Sequence, residues 1–96
     1  MTDEETIRNI KKVVSHHTGI PERYLFSRKR STKYIIPRFI AYYVGYCKGI
    51  SYPKLGKLLD RHHATIMYGA KKVEDECKTN KMLNEQVKSI WSALAN

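Results

Sequence analysis

Apolar residues recur along the chain with a helical period, and no segment alternates as a strand would. Ile7, Ile10 and Val14 share one face of a first helix, opened by the capping box of Thr2 and Glu5 and stopped by Gly19. Pro21 suits the first turn of a short helix carrying Tyr24, Leu25 and Phe26. A basic loop, Ser27 to Lys33, follows. Pro37 then opens a helix with Ile40, Val44 and Cys47 on one side, closed near Gly49. Ser51 is placed to cap the next helix, with Pro53 in its first turn and Leu55, Leu58 and Leu59 facing inward. Beyond a tight turn at Asp60, Arg61 and His62, a longer helix buries Ile66, Ala70, Val73 and Cys77. A last helix from about Asn80 buries Leu83, Val87, Ile90 or Trp91, and Leu94. The pattern predicts an all-α fold of five or six helices.

The helices at about 52–59 and 62–78, joined by a turn of about three residues, fit a helix-turn-helix. In that motif the second helix enters the major groove and offers its N-terminal residues to base edges. Here those residues are Arg61, His62, His63, Ala64 and Thr65, and the apolar stripe starts only at Ile66. Any two helices around a short turn satisfy this pattern, so its weight depends on where the charge lies.

The charge is segregated. The chain has 18 Lys and Arg against 9 Asp and Glu, a net +9. Residues 23–72 hold twelve of the bases and a single acid, Asp60, while each end is close to neutral. Solubility asks only for mixed surface charge, so this segregation points to a polyanionic partner, and beside a helix-turn-helix to nucleic acid.

Length and composition close other routes. Ninety-six residues suffice for one domain, expected to span 1–96. The longest charge-free apolar stretch, Phe39–Cys47, is far short of the ~20 residues that cross a bilayer, and Asp3, Glu4 and Glu5 are unlike the basic start of a signal peptide. Two cysteines make no disulfide framework. The expected setting is cytoplasmic: a prokaryotic cell or a phage-infected host, in association with the nucleoid. His16–His17 and His62–His63 are adjacent pairs whose side chains diverge by ~100° on a helix, so neither readily chelates one metal ion. Cys47 and Cys77 read as core residues. With no nucleophile elbow and no carboxylate pair, the expectation is a non-enzyme with no cofactor and no small-molecule substrate.

The run Arg61-His62-His63-Ala64-Thr65-Ile66-Met67-Tyr68, with Lys71-Lys72-Val73 after it, resembles the signature helix of the C-terminal DNA-binding domain of the bacterial replication initiator DnaA. The Ile7–Val14 helix, the basic loop, Pro37-Arg38 with Ile40-Ala41, Ser51-Tyr52-Pro53 and Leu55-Gly56 fall in that family's order. The likeness covers roughly Ile7 to Val73. It implies a Trp-repressor-like helical domain that binds a short duplex through two grooves. By resemblance, Arg30 enters the minor groove, and His62, His63, Ala64 and Pro53 contact bases in the major groove. The resemblance places phosphate contacts at Arg38, Lys54, Arg61, Thr65 and Tyr68, with Lys29 and Lys33 adding charge neutralisation. A flexible arginine suits the negative potential of a narrow A·T-rich minor groove, and helix N-terminal amides suit phosphate oxygens.

Three departures bear on specificity. The family usually has Asp at the position of His62, Thr at that of Ala64, and two glycines where this chain has Asp60 in a shorter turn. An Asp accepts from a cytosine amino group, whereas a neutral His offers other hydrogen bonds and Ala64 only a methyl contact. Asp60 is a candidate cap for the recognition helix. Site preference is therefore expected to differ from the initiator's box. The chain has neither the length nor the glycine loop of the initiator's nucleotide-hydrolysing domain. It is expected to be an excised domain or a free-standing module such as a phage or mobile element would carry. The leading expectation is sequence-preferring binding of double-stranded DNA in regulation of replication initiation or transcription. The alternative is a protein-interaction module that docks an acidic partner, such as a replication or regulatory protein, and holds DNA only non-specifically. RNA ranks third, since the deep, narrow A-form groove excludes a recognition helix.

Overall fold

Thr2 opens the first helix by the reciprocal pair that its sequence promised. Its hydroxyl accepts the Glu5 N–H at 3.1 Å, and the Glu5 carboxylate accepts the Thr2 N–H at 3.2 Å. Gly19, at φ 73°, ends that helix in the left-handed region. The structure, a computed structural model, describes residues 1–95. Among them the chain forms α1 (Asp3–Thr18), α2 (Glu22–Leu25), α3 (Thr32–Cys47), α4 (Tyr52–Leu59), α5 (His63–Glu76) and α6 (Lys81–Leu94), with no strand. Ser51 caps α4 by accepting the Lys54 N–H, and Asn80 caps α6 by accepting the Leu83 N–H at 3.0 Å.

Two helix starts differ from the expected ones. α3 begins at Thr32, so Pro37 lies inside the helix and Lys33 belongs to its first turn, not to the loop. The missing N–H of Pro37 forfeits one bond, to the carbonyl of Lys33, a residue that is exposed. Pro21 is the N-cap of α2 and stands one residue outside it.

α3 is the centre of the fold and touches all five other helices. Of its buried positions, Tyr34, Pro37, Ile40, Ala41, Val44 and Gly45 follow the helical stripe and Tyr42 widens it. Cys47, the last residue of α3, is exposed, contrary to the sequence expectation, while Cys77 is half-buried; both are free thiols. The α3–α5 contact is close because Gly69 faces Phe39: a Cβ there would fall 2.4 Å from a ring carbon. Ile66, Ala70 and Val73 of α5 are buried in the same core as Ile7, Ile10 and Val14 of α1, and Leu83, Val87 and Ile90 of α6. Each large aliphatic side chain so buried contributes about 1.5–3 kcal/mol. Ile90 is fully buried and Trp91 is 39% exposed, with the Lys48 ammonium 4.6 Å from its ring centre. No helix among the described residues is long and apolar enough to cross a membrane.

Candidate nucleic-acid interface

Three residues separate α4 from α5, and the backbone of the first is unusual. Asp60 closes α4 at φ 55°, ψ 53°, the left-handed conformation that side chains other than Gly and Asn or Asp rarely adopt. The N–H groups of Asp60 and Arg61 both turn back to the Gly56 carbonyl, the latter at 2.8 Å. A Cβ on Gly56 would lie 2.5 Å from the Arg61 carbonyl oxygen, so the turn folds over α4 only because that position is glycine. Asp60 therefore ends α4 and does not cap α5, correcting the sequence expectation.

The cap of α5 is His62. Its backbone is extended and its Nδ1 accepts the Ala64 N–H at 3.1 Å. The His63 ring stacks on the His62 ring, with centroids 4.5 Å apart and planes at 28°. His62, His63, Ala64 and Thr65 are all exposed, while Ile66, Gly69, Ala70 and Val73 turn inward. Farther along the open face come Met67, Tyr68, Lys71 and Lys72, and Tyr68 meets Phe39 edge-on at 5.9 Å.

The basic loop between α2 and α3 is tied down by two arginines. Arg38 of α3 donates through Nη2 to the carbonyls of Ser27 (2.9 Å) and Lys29 (2.8 Å), and through Nε to that of Leu25. Arg61 donates through Nη2 to the same Ser27 carbonyl and through Nη1 to that of Asp60 at 2.9 Å. Burial, and then the nearby Arg61 charge, push the Arg38 guanidinium below its ordinary value. A third link is an ion pair from Arg28 to Asp60 at 2.7 Å, with both side chains largely exposed. Loop and turn thus form one braced unit from which Lys29 and Arg30 project; the Lys29 ammonium lies 4.9 Å from the Tyr24 ring centre.

Eight of the residues singled out from the sequence, Arg61 among them, line three concavities, whereas Arg30, Arg38, Lys54 and Thr65 line none of these. An open groove of about 460 Å³ brings Pro53, His62 and His63 together with Arg28 and Lys57. Ala64 and Tyr68 line a second, of about 370 Å³, with Lys71 and Lys72. Lys29 and Lys33 line a third, of about 310 Å³, with Tyr24 and Tyr34. Arg38 and Arg61 are half-buried and donate to loop and turn carbonyls, Arg38 through Nε and Nη2 and Arg61 through Nη1 and Nη2. Lys54 is exposed and reaches Glu4 at 3.6 Å, and Glu4 is held below the usual carboxylate range by backbone hydrogen bonding and then by that lysine. Lys57 was not singled out from the sequence, although it lies four residues from Pro53 and so on its face. Among the described residues no three His, Cys, Asp or Glu side chains are grouped to hold a metal ion.

Comparison with known proteins matches the sequence of this chain to a family. The model of the bacterial dnaA protein helix-turn-helix matches residues 7–73. The chromosomal replication initiator protein DnaA of Onion yellows phytoplasma is 33% identical over 89 residues, which is 92% of this chain and 18% of that protein. Its counterpart in Chloroflexus aggregans is 36% identical over 83 residues, 84% of this chain and 17% of that one. In Acinetobacter baylyi the figures are 32% over 93 residues, 93% and 20%. The chain spans about a fifth of the length of these relatives.

Proposed function

Because the chain belongs to the bacterial DnaA helix-turn-helix family, we propose that it binds double-stranded DNA with sequence preference and acts in replication initiation by occupying its site. The observation that carries this reading is the brace: Arg38, Arg61 and the Arg28–Asp60 pair join the basic loop to the start of α5. Two reading elements are then held at a set separation before DNA arrives, which lowers the ordering cost of binding. The exposed N-terminus of α5 enters the major groove, where His62, His63 and Ala64 meet base edges with Pro53 beside them. Arg30 reaches the adjacent minor groove. Lys29, Lys33, Lys54, Thr65 and Tyr68 face phosphates, as do Lys57, Lys71 and Lys72, whereas Arg38 and Arg61 position the loop. Nothing in this action uses nucleotide hydrolysis, and its place is the bacterial nucleoid.

Selection from a random duplex library at ~0.15 M salt tests the reading, with an expected preference of ~10³ or more over scrambled sequence. Arg30→Ala and His63→Ala are expected to lower affinity by about 1–3 kcal/mol each and relax the preference. Lys54→Ala is expected to weaken all sequences alike and flatten the salt slope by about one unit. If the first two variants bound the winning site as the parent does, the reading would fall. No enrichment, with binding that merely fades as salt rises, would turn attention to an acidic protein partner.

A further inference from the structure

The cap of α5 consumes one particular nitrogen. A backbone N–H has only a proton to give, so the Nδ1 that accepts from Ala64 at 3.1 Å must be bare. A neutral imidazole with a bare Nδ1 carries its proton on Nε2. The ring is also stacked on that of His63, 4.5 Å away, and a half-turn of it would lose the capping bond. Its residue is exposed at the rim of the groove shared with Pro53, and no protein acceptor among the described residues takes the Nε2 proton. Nε2–H is therefore a donor free for whatever lies against the start of the helix.

We propose that His62 sets base choice at one position of the DNA site, as a donor fixed by its own capping bond, selecting a base with an acceptor edge, guanine first, and rejecting cytosine. This rests on the reading that α5 enters the major groove. Guanine offers N7 and O6 there, adenine N7 and thymine O4, whereas cytosine presents its N4 amino group, which would set donor against donor. An aspartate at this position would cap the helix equally well but offer DNA acceptors alone. One proton thus inverts the base that the helix start accepts. Ala64 beside it adds no competing side-chain hydrogen bond, so His62 decides the position.

Two measurements test this on the intact chain. The ¹⁵N shifts of the His62 ring at pH 8, without DNA, are expected to show the Nε2–H tautomer; an Nδ1–H tautomer would overturn the proposal whatever the DNA result. Library selection is then run for the parent, His62→Asp and His62→Ala at the same pH. The parent is expected to enrich guanine about tenfold over cytosine at one position. His62→Asp should exchange that for cytosine with other positions and the melting temperature unchanged, while His62→Ala should erase it. The same base chosen by parent and His62→Asp, or cytosine chosen by the parent at the position His62→Ala erases, would overturn it. A parent that enriches nothing while showing the Nε2–H tautomer would remove the DNA reading, and the base choice with it, but leave the cap chemistry standing.

Discussion

Arg38 and Arg61, twenty-three residues apart in the chain, donate to one and the same carbonyl, that of Ser27. Two like charges converge there because the loop carbonyls around them are a set of oriented dipoles, with the negative end turned inward. The basic loop thereby takes its shape from residues outside it.

Arg38 should behave as the brace of that loop. Arg38→Ala is expected to lose about 2 kcal/mol of stability, the scale of a hydrogen-bond set made by a charged donor. Arg38→Lys should not restore it, because a point ammonium cannot serve several carbonyls in one plane. Urea denaturation reads the loss, and amide exchange at Lys29 and Arg30 should quicken in both variants. A lysine variant with the parent's urea midpoint would count against the brace.

Asp60 combines a strained backbone with an exposed ion pair. Its left-handed conformation costs about 1 kcal/mol relative to glycine, and the pair with Arg28 returns less than that at the surface. Asp60→Gly is expected to raise stability by about 0.5–1 kcal/mol in thermal denaturation. The same change frees Arg28 and removes the acid from the groove rim, so the salt slope of DNA binding should steepen by about one unit. A lower melting temperature would show that the pair outweighs the strain.

Gly56 tests the turn from the other side. Its Cβ position lies 2.5 Å from the Arg61 carbonyl oxygen, a backbone atom that cannot step aside. Gly56→Ala is expected to destabilise by about 2–3 kcal/mol, the upper range for overpacking, and to displace the start of α5. Calorimetry gives the first quantity and the Ala64 amide shift the second. A variant as stable as the parent would mean that the turn is held elsewhere.

Acid should loosen α1 first. Hydrogen bonds from Thr2, backbone before hydroxyl, hold the Glu5 carboxyl below its ordinary value, and backbone hydrogen bonding then Lys54 do so for Glu4. Because the folded values lie below the unfolded ones, this stabilisation is complete above the ordinary carboxylate range. It is lost as pH falls through the folded values. Urea midpoints between pH 6 and pH 3 should fall, and less steeply in Glu5→Gln. Equal slopes in parent and variant would remove Glu5 from the account.

The helices and most of their caps were legible because they are local. Thr2 with Glu5 and Ser51 with Lys54 each act across three residues, and the stripes of α1, α4 and α5 repeat every turn. The run from Arg61 to Tyr68, with its upstream companions, was enough to indicate the family that the comparisons bear out. Ambiguity began where two local rules competed. Asp60 reads as the cap of α5 where His62 serves, and Pro37 is as apt for opening a helix as for an early turn within one. Residues 61 to 56 decide the first case, since the return of the turn to Gly56 sends Asp60 into the left-handed region and leaves His62 extended. The inward commitment of Arg38 and Arg61 was least visible of all. Their acceptors are carbonyls nine to thirty-four residues away, and a guanidinium becomes a brace only when folding brings those dipoles within hydrogen-bond reach.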